Sequence, residues 1–552
     1  MQILPIGEQN FTEIRKNNWL YIDKTKQILQ MTENGKYYFL SRPRRFGKSL
    51  TISTLEAMFQ GKAELFKGLY AENWVKEQAK KPNPVIKLDM SPLGNYYKEE
   101  DLDNSMLNYF ELFLFLNDFN IPMKNNAENM FANIITKLYK QFGQVVVLID
   151  EYDKPITDNI DDLEKAKTVR KYLRSFYTVL KTYSAYLRFV FITGISKFSK
   201  VGIFSGLNNL KDISMAEKYS DIVGYTQEEL EDNFSDWIEK TALKKSMDKQ
   251  ELLDKIKKYY DGFSFDGKMR VYNPFSVLNF FDEGYFYNYW YNSATPSFLV
   301  KYLKKHDIKS PDSYINKEVV ADFTNSSEIE TASVESFLFQ AGYLTIKKRD
   351  EQLITLDYPN KEVSSSMAGL YLENMYNIEE YATLGNRIWK ALKVGNIENT
   401  VELFNRALKP IPYDDFSENT EKNIKNKEVE RGEYWYRSLF MMLLTATGLT
   451  AYPEPHDFQG RSDIVIPFDE HIIIIEFKFA QKSSEVENKR KLGEKQVNQY
   501  AETYANQSKK VITAVFIADD EKDKLFYNFF IYSFKGKIIF ISNFKDCINS
   551  NF

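Results

Sequence analysis

Tyr37-Tyr38-Phe39-Leu40-Ser41-Arg42-Pro43-Arg44-Arg45-Phe46-Gly47-Lys48-Ser49 reads as a strand, a tight loop and the first residues of a helix. The apolar residues 37–40 predict the strand, and Leu50-Thr51-Ile52-Ser53-Thr54-Leu55 continues the helix. A loop ending in Gly-Lys-Ser between those two elements is a phosphate-binding loop. Backbone N–H groups of the loop and the helix start wrap phosphates, Lys48 reaches the terminal ones, and the Ser49 hydroxyl takes a site on Mg²⁺. The usual motif has glycine six places before the lysine, where Arg42 stands here. The first bend is then made by a residue with a Cβ, helped by Pro43, whose ring fixes φ. Gly47 keeps a close backbone approach open beside Lys48. Candidate nucleotide contacts are Arg42, Pro43, Arg44, Arg45, Phe46, Gly47, Lys48, Ser49 and Leu50; the alternative is a basic surface turn.

A second stretch argues against the alternative. Gln144-Val145-Val146-Val147-Leu148-Ile149-Asp150-Glu151 is an apolar run closed by two acids, as expected of a buried parallel strand with carboxylates at its C-terminal edge. In such ATPases the aspartate orders Mg²⁺ and the glutamate polarises the attacking water, roles that fall to Asp150 and Glu151. Pro84-Val85-Ile86-Lys87-Leu88-Asp89-Met90 and Leu187-Arg188-Phe189-Val190-Phe191-Ile192-Thr193-Gly194 read as further strands. Strands alternating with helices give a parallel sheet covered on both faces, with ligands at the C-terminal strand ends. Gly47, Asp150 and Thr193 converge there, and Thr193 or Ser196 could sense the terminal phosphate.

The bulk numbers narrow the chemistry. At 552 residues the chain exceeds one core, and two to four domains are expected. Its single cysteine, Cys547, excludes internal disulfides and cysteine-clustered zinc, and three histidines leave little for a histidine-rich metal site. Oxygen-bound metal is therefore the chemistry to seek. A net charge of −4 excludes a polycationic nucleic-acid binder, so such binding must use local basic patches. No run approaches the roughly 18–20 apolar residues that span a bilayer. Residues 1–7 lack the basic region and apolar core of a signal peptide, so a cytoplasmic location is expected.

Beyond the sheet, residues 227–260 read as charged helices. Residues 334–341 form a helix closed by Gly342, and 343–347 and 352–357 a hairpin. Helix followed by hairpin suggests a winged-helix-like element, which could touch DNA or serve as packing. A helical connector covers 366–408, and the proline-rich, polar stretch from 409 to 427 marks the last boundary.

The C-terminal part carries a second constellation. A helix covers 430–444, and Gly460-Arg461-Ser462-Asp463-Ile464-Val465-Ile466-Pro467 and Ile472-Ile473-Ile474-Ile475-Glu476-Phe477-Lys478 read as two strands of a hairpin. Side chains two apart share a face, so Glu476 and Lys478 point one way and Asp463 can lie opposite them. Asp, then Glu-x-Lys, on paired strands is the metal-nuclease arrangement. Two carboxylates about 4 Å apart repel by roughly 4 kcal/mol at an effective dielectric near 20, which a bound Mg²⁺ or Mn²⁺ removes. Metal-activated water then attacks a phosphodiester while Lys478 orients that water or stabilises developing charge. The alternative is an edge hairpin with Glu476 and Lys478 as an ion pair. Gln496 and Gln499, one helical turn apart, could face the same site.

These residues carry a resemblance. The run Ser41 to Leu50, the run Asp150-Glu151-Tyr152-Asp153-Lys154-Pro155, and Thr193-Gly194-Ile195-Ser196-Lys197-Phe198-Ser199-Lys200 with Phe204 to Leu210 resemble the predicted AAA-ATPase-like family common in gut and anaerobic bacteria. Arginine at 42 is usual there. Asp463 and Glu476-Phe477-Lys478 resemble the associated PD-(D/E)XK nuclease domain, where an upstream helix supplies a further glutamate that Glu433 matches by placement. The resemblance implies an α/β fold. Residues 1–225 form a P-loop AAA-like ATPase domain with a parallel sheet, 226–408 a helical lid and winged-helix-like region with connector, and 409–552 a restriction-endonuclease-like α/β domain. It implies ATP and Mg²⁺, with Mn²⁺ open at the nuclease site, where Glu433, Asp463 and Glu476 are the metal-ligand candidates. It further implies DNA as partner in preference to RNA, homo-oligomeric rings by analogy, and a place in defence or mobile-element biology. The expected function is an ATPase that gates a metal-dependent nuclease; the rival is a nucleotide-dependent regulatory protein whose nuclease fold is a scaffold.

Overall fold

The computed structural model describes residues 1–94, 99–159, 162–197, 203–204, 209–294, 297–305, 311–325, 332–411, 433–448, 464–504, 510–519, 524–532 and 538–541. The chain divides into two compact units, residues 1–306 with 314–363, and residues 307–313 with 364–552.

In the first unit, β1 (Tyr37–Ser41), β2 (Val85–Asp89), β3 (Val145–Asp150), β4 (Leu187–Gly194) and β5 (Lys211–Asp212) form a sheet in the order β2-β3-β4-β1-β5. All its pairings are parallel. Helices α1 (Lys48–Phe59), α2 (Glu99–Leu116), α3 (Ala127–Phe142) and α4 (Leu163–Thr182) connect the strands. Every residue of β3 is buried, which explains its uninterrupted aliphatic run. Each such side chain contributes about 1.5–3 kcal/mol on burial. α2 buries Leu102, Met106, Phe110 and Leu114 on one stripe, and Phe110 stacks on Phe131 of α3 and Phe176 of α4. Because β4 lies between β1 and β3, the loop after β1 and the acids ending β3 open on the same edge across one intervening strand.

Helices between Gln227 and Lys305 also belong to this unit, with a small antiparallel sheet, β6 (Lys317–Val320), β7 (Thr345–Arg349) and β8 (Leu353–Asp357), ordered β6-β8-β7. Between β6 and β7 runs α5 (Val334–Ala341), whose residues 336–341 are all buried. Of the two uses open for this element, the burial of α5 shows packing within this unit.

The second unit contains α6 (Tyr381–Lys393), α7 (Ile397–Leu408), α8 (Glu433–Ala446) and α9 (Val486–Tyr504). They accompany a mixed sheet β13-β12-β11-β10-β9. Its strands are β9 (Ile464–Pro467), β10 (His471–Ala480), β11 (Lys510–Asp519), β12 (Lys524–Tyr532) and β13 (Ile538–Ile541). α6 and α7, which the sequence suggests as a connector, belong to this unit. β9 and β10 pair antiparallel as a hairpin, and β10 runs parallel to β11. Alternate residues of β10 serve two layers: Ile472, Ile474 and Ala480 pack with Val497, Tyr500 and Ala501 of α9. Phe477 packs on Phe404 of α7 and Phe440 of α8. Among the described residues no helix is long and apolar enough to cross a membrane.

Candidate functional sites

The first site forms where β1, β3 and β4 end. Gly47 caps the start of α1 at φ 99°, a left-handed conformation that a residue with a Cβ rarely adopts. Lys48, 6% exposed, places its Nζ 3.0 Å from the carbonyl oxygens of both Arg42 and Pro43 and donates to each. Burial depresses its pKa, against the pull of Asp150, Glu151 and Asp153. Ser49 lies beside Asp150 and favours the ionised form of its carboxylate. Asp150 accepts from the Glu151 N–H at 3.0 Å.

Burial raises the pKa of both acids; repulsion from Asp89 adds to that of Asp150 and repulsion from Asp150 to that of Glu151, while Lys48 works in the opposite direction on each. Glu151 sits at φ 49° and Arg45 at φ 65°. Left-handed backbone at a residue with a side chain costs about 1–3 kcal/mol, and such strain collects at functional sites. Crowded, desolvated carboxylates beside a hydroxyl form an oxygen donor set suited to a hard divalent cation.

The other loop residues divide by what they touch. The Arg42 guanidinium, 1% exposed, donates to the carbonyls of Ser41 (3.0 Å), Ser214 (2.5 Å) and Tyr219 (3.3 Å). It stacks 3.9 Å over Phe265, with Asp212 and Asp266 as counter-charges. Phe46 is packed against Phe263 and Phe265. Arg45 is exposed, 5.1 Å over the Phe275 ring. Arg44 is half-buried and charge-coupled to Lys48 and Glu151, while its carbonyl accepts from Trp290 Nε1 at 3.1 Å. Leu50 lines an open, mainly apolar cleft with Leu20, Ile22, Gly47, Thr54 and Tyr225. Thr193 donates its hydroxyl to the Leu40 carbonyl (2.8 Å), and Ser196 donates its own to Asp153 (2.7 Å).

Four groups that sequence reasoning missed complete this site. Asp153, 1% exposed, accepts from the N–H of Ile195 (3.2 Å) and of Ser196 (2.7 Å), tying the end of β3 to the end of β4. Asp89 pairs in register with Asp150 and raises its pKa further. Its signal was legible: an apolar strand closed by an acid, as in β3. Gln340 accepts from the Lys197 N–H at 2.5 Å, and a lone amide inside the apolar run of α5 was the clue. Trp290 had no signal at all.

The second site lies on β10. Glu476 and Lys478, 2% and 7% exposed, share the strand face that packs on α9. Gly493 of α9 sits so close that a Cβ there would lie 3.4 Å from Lys478 Cγ. Lys478 Nζ donates to Glu476 (2.8 Å), to Glu433 at the start of α8 (3.2 Å) and to the Phe477 carbonyl (3.0 Å). Burial works to lower the Lys478 pKa, but the two carboxylates outweigh it and the net shift is upward. The structure thus brings Glu433, Glu476 and Lys478 together; Asp463 lies outside the described residues. Gln496 is half-buried and Gln499 exposed. Among the described residues no three acids or histidines are grouped to hold a metal. The donor set present is two carboxylates bridged by an ammonium, which a divalent cation fits if the ammonium yields its place.

Two family models match. Residues 5–204 match one described as a predicted AAA-ATPase, and residues 431–527 match the PD-(D/E)XK nuclease superfamily. An uncharacterised protein encoded in the vnfD 5′ region of Azotobacter chroococcum mcd 1 is 33% identical over 489 residues, which is 87% of this chain and 89% of that protein. With its phosphate loop and paired acids at one sheet edge and its Glu-x-Lys strand in a separate unit, the chain belongs to the predicted AAA-ATPase family and carries a C-terminal domain of the PD-(D/E)XK nuclease superfamily.

Proposed function

We propose that the chain is an ATP-dependent nuclease: its first unit binds and hydrolyses ATP with Mg²⁺, and this cycle gates phosphodiester cleavage, of DNA in preference to RNA, in the second. The observation that carries the nucleotide half is Lys48, whose buried ammonium rests on two neutral loop carbonyls at 3.0 Å beside Asp150 and Glu151. Neutral acceptors give way to phosphate oxygens at little cost, because charge-assisted bonds are roughly twice as strong. The cleft beside Gly47 and Leu50 suits the nucleobase, being apolar and next to the loop. Ser49 and Asp150 would hold Mg²⁺, and Glu151 would take the proton of the attacking water. The strand order β6-β8-β7 and the placement of α5 support a winged-helix-like element that here packs on the ATP site.

In the second unit Glu476, Glu433 and Asp463 would hold Mg²⁺ or Mn²⁺. Such an ion, when bound, supplies a nucleophilic hydroxide at neutral pH and shields phosphate charge. Lys478 would then steady the charge developing on the phosphate oxygens. The second reading, a regulatory protein with a non-catalytic nuclease fold, is favoured by one observation: both carboxylates already bind Lys478. The location this reading gives is the cytoplasm, with a role in defence or mobile-element biology.

The test is cleavage of single- and double-stranded DNA with Mg²⁺ or Mn²⁺, with and without ATP. Lys478→Ala should reduce cutting about 10²- to 10³-fold, and Lys48→Ala should remove only the ATP dependence. Cutting unchanged by Lys478→Ala, or no cutting by wild type, hands the case to the regulatory reading.

A further inference from the structure

We propose that Asp153 is a positioning residue for ATP hydrolysis: it fastens the turn that carries Glu151 to the end of β4 and so fixes the Glu151 carboxylate relative to the phosphate loop. The inference rests on the nucleotide reading above, in which Glu151 takes a proton from the attacking water and Asp153 has no part. Glu151 stands at φ 49°, and strain of that kind persists only where the surroundings over-determine it. They do so here. The Glu151 N–H donates to the Asp150 carboxylate at 3.0 Å, the Glu151 carbonyl accepts from the Lys154 N–H at 2.9 Å, and the next peptide N–H, that of Tyr152, donates to the Thr193 carbonyl at 3.1 Å. The Tyr152 ring is fully buried against Phe39 and Phe204, 5.3 Å from each.

Asp153 completes the turn by abandoning its local role. An aspartate just before a helix ordinarily accepts from that helix's own first N–H groups. Asp153 precedes the short helix Lys154–Thr157, yet its side chain makes no such bond. It reaches instead to the end of β4, 42 and 43 positions along the chain: Oδ2 accepts from the Ser196 N–H and hydroxyl at 2.7 Å each, and both oxygens accept from the Ile195 N–H at 3.2 Å. The neighbouring residue makes room for this. A Cβ at Gly194 would collide with Asp153 Oδ1 and with the Tyr152 ring, whose hydroxyl donates to the Ser196 carbonyl at 2.8 Å. The far anchor is the phosphate loop: the Gly194 carbonyl accepts from the Arg42 N–H at 3.2 Å, and the Thr193 hydroxyl donates to the Leu40 carbonyl at 2.8 Å. A continuous brace thus runs from the loop through the end of β4 to Asp153 and the Glu151 turn. Among the described residues Asp153 bonds no group of the loop itself, and it meets Lys48 only as a charge. Its loss therefore acts on the chemical step and not on nucleotide binding.

Steady-state ATP turnover by the full chain with Mg²⁺ tests this, with kcat and KM read separately. Asp153→Ala is expected to lower kcat about 100-fold, the cost of a reacting group displaced by about 1 Å, with KM for ATP within about twofold of wild type. Asp153→Asn still presents an oxygen to the Ser196 N–H and is expected to recover most of that loss. Ser196→Ala removes one bond to Asp153 Oδ2 and leaves the N–H contacts; it is expected to lower kcat about tenfold at unchanged KM, and it carries the test if Asp153→Ala does not fold. Wild-type kcat in Asp153→Ala, a raised KM with kcat kept in either alanine variant, or Asp153→Asn as impaired as Asp153→Ala overturns the role. A wild-type chain that turns over no ATP fails the nucleotide reading itself, and the role falls with it.

Discussion

The two sites hold their lysines in opposite ways. Lys48 rests on two neutral carbonyls with its carboxylates beyond them, whereas Lys478 is bonded directly to Glu476 and Glu433 at 2.8 and 3.2 Å. On the proposed function, lysine and acids of the first site would hold different parts of one ligand, whereas in the second the ammonium would have to yield the carboxylate oxygens to a metal. The first would then receive an anion as it stands, and the second would rearrange to receive a cation.

The sharpest way to break that contrast is Lys478→Met, which keeps the stem and removes the charge. Stripping a buried carboxylate of its ammonium costs about 4 kcal/mol. The unfolding transition of the second unit should fall accordingly, and millimolar Mn²⁺ should restore much of the loss by replacing one cation with another. Lys48→Met breaks hydrogen bonds to neutral carbonyls only, with Asp150 and Glu151 as charge neighbours not bonded to it, and should cost about 1–2 kcal/mol in the first unit. Equal losses in the two variants, or a Lys478→Met chain indifferent to Mn²⁺, would mean that the two lysines are held alike.

A third buried cation places the loop itself. Arg42 spends its donors on Ser41, Ser214 and Tyr219 and faces Asp212 and Asp266, tying the phosphate loop to segments far along the chain. Arg42→Ala should cost about 3 kcal/mol by leaving that set of acceptors and acids without its cation. Arg42→Gly restores the usual motif residue and should destabilise as much. If Arg42→Gly instead weakened ATP binding while leaving Tm untouched, the guanidinium would be a phosphate ligand rather than a strut.

Arg42 also shows where sequence reading stopped. The strands, the phosphate loop and the acids at their edge were legible because each rests on local order: an apolar run, a spacing, a terminal acid. The contacts that fix Arg42 join residues more than 170 positions apart, and nothing in the local sequence marks Ser214 or Tyr219 as its acceptors. For the same reason Trp290 and Gln340 escaped notice, although they bond to the Arg44 carbonyl and the Lys197 N–H beside the first site. In the second unit the hairpin of β9 and β10 was legible from alternation and turn length. What alternation could not supply was that Lys478 would be shared between an acid two residues away and Glu433, brought in by a separate helix.

The last effect concerns the support behind the loop. Glu362 is fully buried, accepts from the Trp290 N–H and the Ser276 hydroxyl at 2.7 Å each, and burial pushes its carboxyl up to about 8. Tyr259, Tyr260 and Tyr289 are titratable neighbours coupled to it, and Lys361 lies over the Tyr259 ring. Because the folded pKa is raised, the folded chain keeps between pH 4.5 and about 8 a proton that the unfolded chain releases. Stability therefore falls as pH rises through that window, carries no penalty below it, and a constant one above it. Glu362→Gln cannot ionise and should lose about 3 kcal/mol less than wild type between pH 5.5 and 8.5, read from chemical unfolding of the first unit. Trp290 also donates from Nε1 to the Arg44 carbonyl, so a Glu362 ionised above about pH 8 should loosen the loop around Lys48 and weaken ATP binding in wild type but not in the variant. Parallel stability curves for the two proteins would place the proton elsewhere and leave Trp290 as packing alone.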